Sequence, residues 1–437
     1  MLKFNAINAK SCFLFCFLAG FFIQNLNAAV WVPTGAWDKN WEKSYQDWVK
    51  SPDVMPSMLT NPASPYYGLT VDCADFAYAL HVIFAYEHGL PFRAKNPVAK
   101  KSDKMQYFSH EMTRWDKLAP NKRVVQFITY LADSLGTESL SYYDSYPIKV
   151  KTVTPSDIYL YKIKQSTGLF VRHSYIIKNI NEKGNFDIIY STQAAKAEGK
   201  PLYFHANQQI ASAYAPIPGW GFKRQKLYQH YDLSTAPELT ELDYSQEQYD
   251  LVKKLGAKEF FKNVRRGLQT SNESPQETVN RLMSNLCTQL KERGLVVESA
   301  TTYLGKSKNS CMDFGNFDAY STPSRDKGFK ELYQDLRDAT QDIRDLGKVS
   351  EVDSVSWNRV EAIFDPTKVD ESVKSDLDQF CSINYSYSGS TYSMNLATTY
   401  SAFSSDKISF HPNDNIARRW GNSQGTRTTC KMWYGQE

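Results

Sequence analysis

Asp72-Cys73-Ala74-Asp75-Phe76-Ala77-Tyr78-Ala79-Leu80-His81-Val82-Ile83-Phe84-Ala85-Tyr86-Glu87-His88-Gly89-Leu90-Pro91 is the stretch on which the fold turns. Asp72 can accept hydrogen bonds from first-turn N–H groups, which makes it a helix cap. Phe76, Leu80 and Ile83, with Ala77 and Phe84, recur at helical spacing. Gly89 can take the conformation that ends a helix, and Pro91 follows. The spacing predicts a helix over 72–90, with Cys73 in its first turn on the face of Phe76 and Leu80.

Upstream, 30–67 is rich in Trp and Pro and reads as an aromatic-packed loop with a short helix over 38–50. Downstream, 124–135 reads as a helix and 158–162 as a strand. Residues 171–180 and 186–192 read as two strands joined by the polar turn Asn181-Glu182-Lys183-Gly184-Asn185. Helix first and antiparallel sheet after is an α+β order. The composition changes at Ser234-Thr235-Ala236-Pro237-Glu238, a linker pattern. Beyond it, 246–268, 275–293, 326–346, 354–364 and 369–381 are charged, periodic helix candidates. Residues 382–437 read as short strands or loops held by cysteines. The expected organisation is a leader at 1–28, an α+β domain at 29–235 and a mainly helical domain at 236–437.

The leader reading rests on Lys3 and Lys10, an apolar run from Cys12 to Ile23, and small residues at Ala28 and Ala29 near the exit. Those are the parts of a secretory signal, and the run is shorter than the ~20 residues that span a bilayer. No later segment is apolar enough to span. The formal charge is +4, of which Lys3 and Lys10 supply 2, so the remainder is nearly neutral. That argues against nucleic acid as the main partner. The expectation is an exported protein, periplasmic or secreted, with no stable membrane span after cleavage.

Cys12 and Cys16 leave with the leader, and Cys73, Cys287, Cys311, Cys381 and Cys430 remain. In an oxidising compartment the last four can form two bridges, in a pairing the sequence leaves open. Cys73 is then a lone thiol. A cysteine nucleophile needs a base and oxyanion donors. A helix N-terminus lowers a thiol pKa and offers unpaired N–H groups, while Asp72 opposes by its charge. His81 and His88 lie too far along the same helix. His173 opens a strand and is the candidate base. On the returning strand Ser191, Thr192 and Gln193 come within reach of it, and Gln193 is the candidate that orients the ring. His110-Glu111 is not a zinc pattern, and Asp313, Asp318 and Asp326 lack calcium-loop spacing, so neither metal nor cofactor is expected.

Tyr66-Tyr67-Gly68-Leu69-Thr70-Val71-Asp72-Cys73 resembles the entry to the catalytic cysteine of NlpC/P60 peptidases. Pro155-Ser156-Asp157-Ile158, then His173 and a hairpin, is similar to that family's following strands. Cys73-Ala74-Asp75-Phe76-Ala77 with Gly89-Leu90-Pro91-Phe92-Arg93 resembles transglutaminase-like proteins. The resemblance covers roughly 60–230. It implies a papain-like core, a helix carrying Cys packed on an antiparallel sheet. It also implies a cysteine peptidase or amidase cutting peptide bonds, those of peptidoglycan in the NlpC/P60 case, with Tyr67 assisting the oxyanion. Ala74-Asp75 stands where NlpC/P60 proteins usually have Ser-Gly, and the third catalytic position has no clear match. Two alternatives therefore stand beside it: an inactive binding or structural envelope protein on the same scaffold, or an acyl-transferring enzyme.

Overall fold

The computed structural model describes residues 29–164, 170–192, 196, 202–233 and 243–433. The leader at 1–28 and Gln193 lie outside the described residues. The first half carries α1 (Lys39–Lys50), α2 (Ser57–Thr60), α3 (Cys73–Glu87), the hairpin β1 (Arg93–Lys95) and β2 (Tyr107–Ser109), α4 (Pro120–Ser134) and α5 (Thr137–Tyr142). Then come β3 (Ser145–Pro147), β4 (Ile158–Lys164), β5 (Phe170–Ile180), β6 (Phe186–Tyr190), β7 (Tyr203–Gln208) and β8 (Gly221–Gln225). These six strands form one antiparallel sheet in the order β3-β8-β4-β5-β6-β7.

The α3 boundary follows from its cap. Asp72 Oδ1 accepts from the N–H groups of Ala74 and Asp75, and Asp75 returns a bond to the Asp72 N–H. This reciprocal box satisfies donors that a helix start otherwise leaves open. Only one apolar face was expected for α3, yet its residues from Cys73 to Ala85 are all buried. The reason is its place in the core. It lies in one cluster with Ile158, Leu160, Ile176 and Ile189 of the sheet, Val124, Phe127 and Leu131 of α4, and the N-terminal Trp31 and Trp37.

Strand alternation sends neighbouring residues to opposite faces of the sheet. Leu160 pairs with Ser174 and Tyr161 with His173. Leu160, Ile176 and Ile189 join the α3 core. Tyr159, Tyr161, Ile177, Ile188 and Tyr190 join a second core on the other face, closed by Phe260, Phe261 and Val264. Those three belong to α7 (Ala257–Leu268), which follows α6 (Glu247–Leu255). Where β3 stops at Pro147, the buried Gln248 amide continues the ladder. Its Oε1 accepts from Phe222 N at 2.9 Å and its Nε2 donates to Phe222 O at 3.0 Å.

The remainder is mainly helical: α8 (Pro275–Lys306), α9 (Phe314–Tyr320), α10 (Pro323–Asp345), α11 (Ser354–Phe364), α12 (Glu371–Phe380), α13 (Leu396–Ser404) and α14 (Ile416–Arg419). A small hairpin, β9 (Ser382–Tyr387) and β10 (Ser390–Asn395), interrupts them. Ser274, Pro275 and Glu277 start α8 with a capping box and a proline whose missing N–H costs nothing there. Two disulfides, Cys287–Cys381 and Cys311–Cys430, staple this half, and Cys73 is the free cysteine among the described residues. The chain is thus α+β with a helical, doubly bridged C-terminal region. No described helix is long and apolar enough to cross a membrane.

Candidate functional site

A cavity of about 330 Å³ opens where the sheet meets the helical half. Cys73 and Thr137 stand on one wall, His173, Tyr175, Tyr190 and His205 on another, and Glu292 and Arg325 on a third. All but Glu292 come from a helix start or a strand. Cys73 opens α3, Thr137 opens α5, His173 and Tyr175 sit on β5, His205 on β7, Glu292 on α8 and Arg325 in the first turn of α10.

Cys73 is 8 % exposed, and hydroxyls are its close neighbours. Thr137 Oγ1 lies 3.7 Å from the sulfur. The Ser174 main chain and hydroxyl also border it and favour the thiolate. Burial, then the charge of Asp72, outweigh them and push the thiol up to about 12. The thiol therefore keeps its proton at rest. The donors expected for an oxyanion are also largely taken, because Ala74 N and Asp75 N already bond Asp72. Cys73's own N–H is the first-turn donor left over.

His173 lies beside Ser174 in sequence and so faces away from α3. Its ring packs against Tyr161, Tyr175 and Tyr190 at centroid distances of 5.6, 4.9 and 5.1 Å. Burial, helped by Arg325, lowers its pKa to about 3, so the ring is neutral. The fold brings Cys73 and His173 to one cavity, but no hydrogen bond joins them. Tyr67 is not brought there. Its side chain is 58 % exposed on the turn closed by Gly68, whose φ is +81°. Tyr67 does not line the cavity; the preceding Tyr66 is the buried one, and its hydroxyl donates to Glu87.

The polar centre of the cavity was not anticipated. Glu292 accepts from Tyr190 OH at 2.6 Å and from His205 Nε2, and its other oxygen accepts from Arg325 Nη1 at 2.8 Å. Burial alone would push this carboxyl up, but His205, Arg325 and Tyr190 together hold it at about 2. A readable signal existed. Arg281, Asn285, Gln289 and Glu292 recur at helical spacing on α8, a polar stripe along one side of the helix. That stripe meets the sheet, where Asn285 bonds Asn207 O and Gln208 as Glu292 bonds His205.

No family model, no curated protein and no solved structure matches this chain.

Proposed function

We propose that this cavity is the reaction site of an exported, papain-like cysteine hydrolase acting on peptide amides, the peptides of the cell wall among them. The observation that carries the reading is the joint presence of a lone thiol at a capped helix start and a neutral imidazole in one cavity. Ser174, not His173, shares the Cys73 face of the sheet, so this reading requires substrate binding to bring thiol and imidazole together across the cavity. In the reaction His173 takes the thiol proton as sulfur attacks the amide carbonyl. The C–N bond breaks, His173 returns the proton to the amine, and water hydrolyses the thioester. Export is supported by the leader-like N-terminus and by two disulfides, which persist in oxidising compartments.

A second reading, a binding protein on the same scaffold, is favoured by the thiol held near 12 and by the cap that occupies the oxyanion donors. One experiment separates them. Wild type and Cys73→Ala are incubated with soluble peptidoglycan peptides, and products are read by mass spectrometry. Hydrolysis requires new termini with wild type alone. Peptide retained intact by both proteins selects the binding reading. Products carrying an added amine acceptor would assign acyl transfer instead.

A further inference from the structure

Arg325 is held on one side only. Nη1 donates to Glu292 Oε2 at 2.8 Å, while Nε and Nη2 have no protein partner among the described residues. Its side chain is 20 % exposed, and the exposed part faces the cavity. A guanidinium presents two parallel N–H donors along an edge, the geometry that a carboxylate accepts. Glu292 cannot fill that edge, because Tyr190 and His205 occupy its other oxygen and its position is fixed.

The surroundings suit a ligand with an apolar body. Arg172 lines the cavity and shares the Glu138 carboxylate with Lys162, each at 2.8 Å. Tyr161 and Tyr214 stack at 4.2 Å and form a flat wall. Asp72 and Asp318 also border the cavity. Among the lining cations, Arg325 is the one whose open edge can anchor a carboxylate.

We propose that Arg325 binds the free carboxylate of a short peptide, making the C-terminal end of a peptide the feature this cavity selects. The proposal rests on the cavity being the ligand site, and it is independent of chemistry at Cys73. The probes are N-acetyl-alanyl-alanine and its C-terminal amide, titrated calorimetrically into wild type, Cys73→Ala, Arg325→Lys and Arg325→Gln. Wild type and Cys73→Ala should bind the acid about 10- to 100-fold tighter than the amide, the range of one charge-assisted bidentate contact. Arg325→Gln should bind both alike. Arg325→Lys, which keeps a cation beside Glu292, should retain part of the preference and guards against a variant that fails to fold. Equal binding of acid and amide by wild type overturns the proposal. So does no binding of the acid up to about 50 mM, or a preference that survives in a folded Arg325→Gln. Absence of peptide hydrolysis by wild type would count against the hydrolase reading alone.

Discussion

The Tyr190 hydroxyl donates to Glu292 Oε1 over 2.6 Å, joining β6 to α8 across 102 positions of sequence. The bond is buried and charge-assisted, and the same carboxylate holds His205 and Arg325. Bonds to charged groups contribute about 1.5–3 kcal/mol each, and an orphaned buried charge costs about 3–5 kcal/mol. Tyr190→Phe should therefore destabilise by about 2 kcal/mol, and Glu292→Ala by more, in urea unfolding.

The same carboxylate sets a pH dependence. Its pKa falls from 4.5 to about 2 on folding, so its contribution is complete above 4.5 and is lost as pH falls through 4.5 toward 2. The integrated effect is about 3 kcal/mol. The stability gap between wild type and Glu292→Gln should narrow as pH falls through that acid window. A gap unchanged at pH 2.5 would show that the carboxylate is not held ionised.

Cys73 should be a slow thiol in the free protein. With the pKa near 12, only about one molecule in 10⁴ carries the thiolate at pH 8, against about a quarter for a free thiol of pKa 8.5. Iodoacetamide labelling should lag a small thiol by more than about 100-fold and rise roughly tenfold per pH unit up to pH 10. Thr137→Val, which removes a hydroxyl that favours the thiolate, should slow it further. Rapid labelling at pH 7 would mean that the sulfur is already activated at rest.

Gly184 closes the turn between β5 and β6 with φ +74°. A Cβ there would stand 2.3 Å from the Arg265 carbonyl oxygen at the end of α7. Gly184→Ala meets both backbone strain, about 1 kcal/mol, and a contact with main chain that cannot rotate away. A loss above about 2 kcal/mol is expected in the denaturant midpoint. A neutral substitution would mean that α7 can withdraw from the hairpin.

The two bridges should differ in lability. Cys287 and Cys381 are 8 % and 1 % exposed within the helical core, whereas Cys311 is exposed. Limited dithiothreitol followed by mass mapping should open Cys311–Cys430 first. Replacing Cys287 and Cys381 by Ser should cost about 2–5 kcal/mol, as expected for a bridge closing a long loop. Prior reduction of Cys287–Cys381 would contradict this order.

What could be read from the sequence was local. Asp72 as a cap, the hairpin around Gly184, the helix Ser354–Phe364 and the bridging of four cysteines all follow from short-range chemistry, and all are present. Two glycines mark where the local pattern and the structure part. The helix expected over 275–293 runs on as α8 to Lys306, because Gly294 lets it pass Ile383 of β9, whose Cδ1 would lie 3.1 Å from a Cβ. Gly256, inside the expected helix 246–268, adopts φ +77° and splits it in two. The site was only half legible for a related reason. Cys73 and His173 could be singled out by type, but which strand residue borders the sulfur depends on register, and the answer is Ser174. Glu292 and Arg325 reach the cavity from about 70 and 100 residues beyond β8, which ends at Gln225, so the stripe on α8 is legible locally but its meeting with the sheet is not.

Gln248 stands in for a missing strand by pairing both main-chain groups of Phe222 through its side chain. Residues downstream of the linker thus finish a structure begun upstream of it, and Phe260, Phe261 and Val264 roof the same floor. A protein truncated at the linker would expose an apolar surface and an unfinished hydrogen-bond ladder. The natural unit for expression or crystallisation is accordingly one that retains the chain at least through α7.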